Sequence, residues 1–147
     1  LRCLVGSEMC IRDSIYGSPK YLEKYGFPKN TSDLNKHSFI SFGRGAPSPV
    51  YNPDWALKLG TKDNKKRKTV MKVNSVYGLL LAVQSGVGLA ALPDYITVNQ
   101  PNIVKVLPNI EGPITEAHFV YPQSMKNVAR VQAFRNFLYS KISEWEF

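Results

Sequence analysis

The sequence predicts an α/β sandwich, and three observations carry that prediction. Strand-like and helix-like stretches alternate along the chain, the order that stacks helices on a sheet. A dense unit at Val73–Ile96 (VNSVYGLLLAVQSGVGLAALPDYI) runs through a cap, a helix, a glycine stop, an apolar strand and a new helix start. Near the end, Val128, Val131, Phe134, Leu138 and Ile142 recur three or four residues apart, which is one face of a long helix.

Composition bounds the rest. With 147 residues, 44% hydrophobic and 20% charged, the chain suits one soluble domain or two small lobes. The longest apolar stretch, Val76–Val83, is interrupted by Gly78 and falls well short of the roughly 18 to 20 residues that cross a bilayer, so no membrane partner is expected. The net charge of +8 owes much to Lys62, Lys65, Lys66, Arg67 and Lys68. That run holds the Asp63-Asn64 turn signal between two strand-like segments and reads as a solvated hairpin tip. No aromatic residue interleaves with these bases to stack on nucleobases, which weakens the reading as a phosphate-binding loop. Cys3 and Cys10 both lie in the first ten residues, and neither has metal-ligand spacing with His37 or His118. No metal, no cofactor and no thiol chemistry is expected, and the cysteine-free body fits a reducing cytoplasm.

The elements follow in order. Leu1–Ser14 (LRCLVGSEMCIRDS) shows neither strand alternation nor a helical stripe and lacks the parts of a signal peptide. It resembles a translated cloning or sequencing-adaptor scar. Residues 1–14 are therefore expected to be unstructured or irregular, with the domain over 15–147. Ile15-Tyr16-Gly17 is a short strand. Ser18 as N-cap and Pro19 at the first helical position start a helix over Lys20–Tyr25, which Gly26 stops and Pro28 confirms. Thr31-Ser32-Asp33-Leu34 starts a single turn before His37. Ser38–Phe42 alternates as a strand and runs into Gly43-Arg44-Gly45, an open loop suited to a ligand rim. Pro47, Pro49 and Pro53 make a loop. Trp55, Leu57 and Leu59 alternate with Ala56 and Lys58 as a strand, expected to pair with Thr69–Val73 in a hairpin across the basic turn.

Asn74 or Ser75 then caps a helix with Val76, Leu79, Leu80 and Val83 on one face, and Leu81 on another face implies deep burial. Tyr77 is expected in the core. Gly86 ends this helix, Val87–Leu92 forms a short apolar strand, and Pro93-Asp94 opens a further helix. Ile103–Leu107 is a strand, Pro108–Pro113 a linker, and Glu116–Tyr121 a second strand broken by Pro122. The closing helix carries Arg130, Arg135 and Lys141 on its other faces.

Several of these pieces share a resemblance. Ser18-Pro19-Lys20-Tyr21-Leu22 with Gly26, Asp33-Leu34 and His37 resembles the crossover into the second lobe of LysR-type effector-binding domains. Asn74-Ser75-Val76 through Gly86-Val87-Gly88-Leu89-Ala90-Ala91-Leu92-Pro93 resembles that family's central motif. Val104–Leu107, Phe119–Pro122 and the helix around Phe134 and Leu138 resemble its return crossover, final strand and last helix. The resemblance covers Tyr16–Ile142 and implies a fold like the type 2 periplasmic binding proteins, two α/β lobes closing on a small molecule. It implies a complete second lobe at about 31–101, with 15–30 and 102–147 as crossovers and the remnant of a partial first lobe. The winged helix-turn-helix would lie upstream of Ile15. The implied partners are a small-molecule effector, DNA only through the missing N-terminal domain, and further copies of the intact protein in a dimer or tetramer. Without the rest of the first lobe, Phe119, Val131 and Phe134 should be partly uncovered and the fragment marginally stable.

A cleft between lobes takes its polar contacts from strand ends and helix N-termini. Here those are Ser41 and Gly43 at a strand end, and Asn74, Ser75 and Val76 where a helix begins, a place that favours a carboxylate or another anion. Plain helix capping explains Asn74 and Ser75 equally well. Arg44 either pairs with an anion at the rim or is solvated. Tyr16 and Ser18 join the site through the family pattern, and His37 and His118 are expected to be structural. A periplasmic solute-binding protein of the same fold is the alternative reading. An enzyme is not expected and no catalytic residue is assigned: a Gly-x-Ser-x-Gly elbow is absent, and Gly86-Val87-Gly88 follows a helix where a dinucleotide fingerprint follows a strand.

Overall fold

A computed structural model describes residues 8–43, 52–62 and 65–144. Strand β1 (Glu8–Gly17) pairs antiparallel with three others. β4 (Ala90–Pro93) runs from Asp13↔Pro93 to Tyr16↔Ala90, β5 (Val104–Val106) from Ile15↔Val106 to Gly17↔Val104, and β6 (Ile114–His118) from Glu8↔His118 to Arg12↔Ile114. The irregular structure expected for 1–14 is therefore corrected for Glu8–Ser14, while 1–7 lie outside the described residues. An antiparallel ladder uses backbone N–H and C=O groups, so weak side-chain alternation does not prevent pairing.

β2 (Phe39–Phe42) pairs in parallel with β3 (Thr69–Val73). The expected hairpin is thus corrected on both sides: Trp55–Lys58 is a helical turn, α2, and β3 has β2 as its partner. Five residues of alternation cannot tell a strand from one helical turn, and here Trp55, Ala56 and Leu57 are buried in succession. The Ile40 amide donates to the Leu89 carbonyl at 2.8 Å and the Leu89 amide to the Ser38 carbonyl at 2.9 Å, so β2 lies beside the chain that leads into β4. Gly88 permits that approach, because a Cβ there would sit 2.6 Å from the Ser38 carbonyl oxygen.

Helices cover both faces. α1 (Pro19–Tyr25) has the expected Ser18 cap, whose Oγ accepts from the Tyr21 amide, and stops at Gly26 with φ of 87°. α3 (Val76–Gln84) has Ser75 Oγ accepting from the Gly78 amide at 3.3 Å. It ends in a Schellman motif: Gly86 at φ 77° donates to Val83 and Val87 donates to Ala82. α4 (Asp94–Thr97) follows β4 directly.

Ile15, Tyr21, Leu22, Leu34, Phe39, Trp55, Leu57, Leu89 and Val106 form one core, under α1 and α2. Tyr16, Ile40, Phe42, Leu79, Leu80, Val83, Ala90 and Leu92 form the other, under α3. β2 is covered on both sides, which is why all four of its residues are buried. The expected depth of α3 is corrected, since Tyr77 and Leu81 are 61% and 46% exposed. One sheet face covers one helix face, and nothing among the described residues covers the other.

The basic run is not simply solvated. Arg67 donates to Asn35 Oδ1 and to the carbonyls of Ala56 and Thr31, and its guanidinium lies over the Phe39 ring. Lys66 pairs with Asp54. β6 begins two residues before the expected Glu116. The closing helix, α5 (Ala129–Ser143), has no buried residue among those described. Phe119 touches Phe134 and Tyr121 ring to ring at 5.5 Å, yet Phe134 and Phe137 remain 51% and 56% exposed.

Candidate functional site

β2 and β3 are parallel, and the chain turns from the end of β3 through Asn74 and Ser75 straight into α3. The carboxyl ends of both strands and the first turn of a helix therefore meet at one edge, the arrangement that gives open α/β sheets their binding crevice. The Gly43 amide donates to the Val73 carbonyl at 2.8 Å, and a Cβ on Gly43 would lie 3.6 Å from Asn74. Beside this junction is a recess lined by Asp13, Ile40, Phe42, Pro53, Val76, Leu79, Ala91 and Pro93. Helix geometry leaves the amides of Val76 and Tyr77 without acceptors inside α3.

The structure brings Gly43, Asn74, Ser75 and Val76 together beside the recess and places Ser41, Ser18 and Tyr16 outside its lining. Val76 lines the recess, and Ser75 caps the helix above it. Ser41 is buried between Ile40 and Phe42, and strand alternation points it to the sheet face opposite the recess. Ser18 is buried as the cap of α1. Tyr16 is buried with its hydroxyl donating to Asp94 Oδ1 at 3.0 Å, and burial pushes its pKa up to about 12. Arg44 lies outside the described residues.

Sequence reasoning missed Asp13, which was set aside with 1–14. Asp13 is 2% exposed, and its Oδ1 has no hydrogen-bond partner among the described residues. Burial first, then the charge of Asp94, pushes its carboxyl up to about 7. His37 packs at a tilt 5.8 Å from Tyr21, and burial holds its pKa below the usual value. His118 Nε2 lies 3.7 Å from Glu116. Among the described residues no group of three or more His, Cys, Asp or Glu is placed to hold a metal, and no helix is long and apolar enough to cross a membrane.

Residues 14–142 match the LysR substrate binding domain. The chain belongs to that family. A relative described as an uncharacterized HTH-type transcriptional regulator of Haemophilus influenzae is 31% identical over 109 residues, covering 71% of this chain and 36% of the relative. Another, the uncharacterized HTH-type regulator YhjC of Escherichia coli, is 26% identical over 132 residues, covering 87% of this chain and 44% of the relative. The chain thus spans less than half the length of either relative. The regulatory domain of the LysR-type regulator CrgA from Neisseria meningitidis superposes with a TM-score of 0.67 at 20% identity, covering 96% of this chain and 72% of that one. The regulatory domain of AphB in Vibrio vulnificus gives 0.66 at 15% identity, covering 94% and 71%. These neighbours show the LysR regulatory-domain fold, which is periplasmic-binding-protein-like, and the family match favours the LysR reading over the solute-binding alternative.

Proposed function

We propose that the intact protein is a cytoplasmic LysR-type transcription regulator and that this chain is its effector sensor, binding a small anionic metabolite without turning it over. One observation carries the site: an apolar recess opens where the carboxyl ends of parallel β2 and β3 meet the N-terminus of α3. An effector carboxylate would take the free amides of Val76 and Tyr77 with the positive end of the helix, while its apolar part rests on Ile40, Phe42, Leu79 and Pro93. Ser75, Asn74 and Gly43 frame that end, and Arg44 is the next residue in the chain after Gly43. The raised pKa of Asp13 supports this reading, because a carboxyl with a pKa of about 7 is half neutral at pH 7 and repels an anion less than an ordinary carboxylate would.

Residues 31–101 would then be the second lobe, with 15–30 and 102–147 as crossovers and first-lobe remnant. DNA contact and dimer or tetramer assembly would belong to the intact protein, and lobe closure on the effector would bias how its DNA-binding domains are spaced.

The test is a panel of small carboxylic acids, each matched with its neutral amide, scored by the rise in Tm of the chain. Acids are expected to stabilise it by mass action and amides to fail. Acids and amides acting alike would remove the anion from the proposal. Ser75→Ala separates the two roles of that residue: capping alone predicts lower stability with unchanged affinity.

A further inference from the structure

Asp94 lies where three elements meet. It is the first residue of α4 and is buried. Oδ1 accepts the Tyr16 hydroxyl of β1 at 3.0 Å, and Oδ2 accepts Lys105 Nζ of β5 at 3.2 Å. One turn on, Thr97 Oγ1 lies 2.7 Å from the Asp94 carbonyl oxygen and 3.0 Å from the Tyr16 hydroxyl. Tyr16 and Lys105 are themselves directly opposite in the β1–β5 ladder. The chain enters and leaves residues 18–103 by β1 and β5: β5 leads on along the chain to β6, and β1 reaches β6 through their antiparallel ladder. A single carboxylate therefore holds α4 to both connecting strands at once.

We infer that Asp94 is a positioning residue: its two oxygens lock α4 onto β1 and β5 together, so that a rearrangement around α3 and α4 reaches the β6–α5 part through both strands in concert. Filling this space does not require a charge, since an apolar side chain would pack there without the cost of desolvating an ion. What the carboxylate supplies is two acceptors aimed at two strands. A leucine of similar size has no acceptor and can hold neither donor, whereas an asparagine keeps an oxygen for Lys105 and an NH2 group from which the Tyr16 hydroxyl can accept. The inference rests on topology and hydrogen bonding and stands whichever effector binds.

A double-mutant cycle on the 147-residue chain tests it, read by backbone amide exchange in β5 and β6. Tyr16→Phe and Lys105→Met each remove one donor. With Asp94 present, their effects on exchange should be non-additive by roughly two- to threefold or more, as for residues in one network. In the Asp94→Leu background that non-additivity should disappear, and with Asp94 present Lys105→Arg, which keeps a donor, should leave exchange close to that of the unchanged chain. The β1–β5 ladder alone would couple Tyr16 and Lys105 equally in both backgrounds. Equal non-additivity with and without Asp94, or none in either, overturns the inference. Loss of effector binding with the cycle intact would instead count against the proposed function.

Discussion

α3 sets Leu79, Leu80, Ala82 and Val83 against the sheet, whereas α5, longer and with an apolar stripe of its own, buries no described side chain. The two differ in what lies opposite them. α3 packs over β2 and β4, inside a layered body whose strands have partners and whose faces have helices. α5 follows β6, a strand paired with β1 alone among the described residues. An amphipathic stripe states which face should leave water, and the free energy of doing so is realised only where a covering layer is present. The pattern of α5 is thus a request for a surface that the described residues do not supply.

The largest expected effect tests this contrast at its strong end. Leu80→Ala should cost about 2–5 kcal/mol in denaturant unfolding, because Leu80 is fully enclosed and its loss leaves a cavity. A cost near that of a surface change would mean that the body is as loosely packed as α5.

The next concerns Asp13, in the strand both regions share. Its folded-state pKa of about 7 lies above the unfolded value of 3.8, so between these the unfolded state binds fewer protons and stability falls as pH rises. With about 1.4 kcal/mol per pKa unit, the drop is on the order of a few kcal/mol from pH 4 to pH 7, levelling above. His37, with its pKa lowered by burial, loses stability in the opposite direction as pH falls. Comparing Asp13→Asn with the unchanged chain isolates the carboxyl, and the variant should lack this descending slope. Parallel pH curves for the two would show that Asp13 is solvated.

Ser75→Ala should cost about 1 kcal/mol through loss of the α3 cap. The smallest effect belongs to α5: Phe134→Ala should change stability by about 0.5 kcal/mol or less, like other exposed sites. A loss there rivalling Leu80→Ala would erase the distinction between the two helices and show that α5 is covered in solution.

The same contrast explains what the sequence disclosed. α1 and α3 were legible because Ser18, Pro19 and Gly26, and Ser75 and Gly86, settle their ends by local chemistry. The grouping of Gly43, Asn74, Ser75 and Val76 followed from the same strand-end and cap signals. Exposure of Tyr77 and Leu81 was not legible, since a helix's own pattern does not count the layers around it. Nor was the parallel pairing of β2 with β3, a contact between segments distant in the chain. The Arg67 tether depends on carbonyls at Thr31 and Ala56, which any residue type would offer. Asp13 escaped because a segment without periodicity can still be a strand when its backbone finds partners.

The pairing of Gly17 with Val104 makes the long excursion between them a cassette. The chain departs from one strand and returns on its immediate neighbour, about 5 Å away across an antiparallel ladder. A two-residue turn could bridge that gap and leave β1 and β5 as a plain hairpin. The cassette is not portable without that hairpin, because its β4 takes its ladder partner from β1 and its cores take Ile15, Tyr16 and Val106 from the two strands.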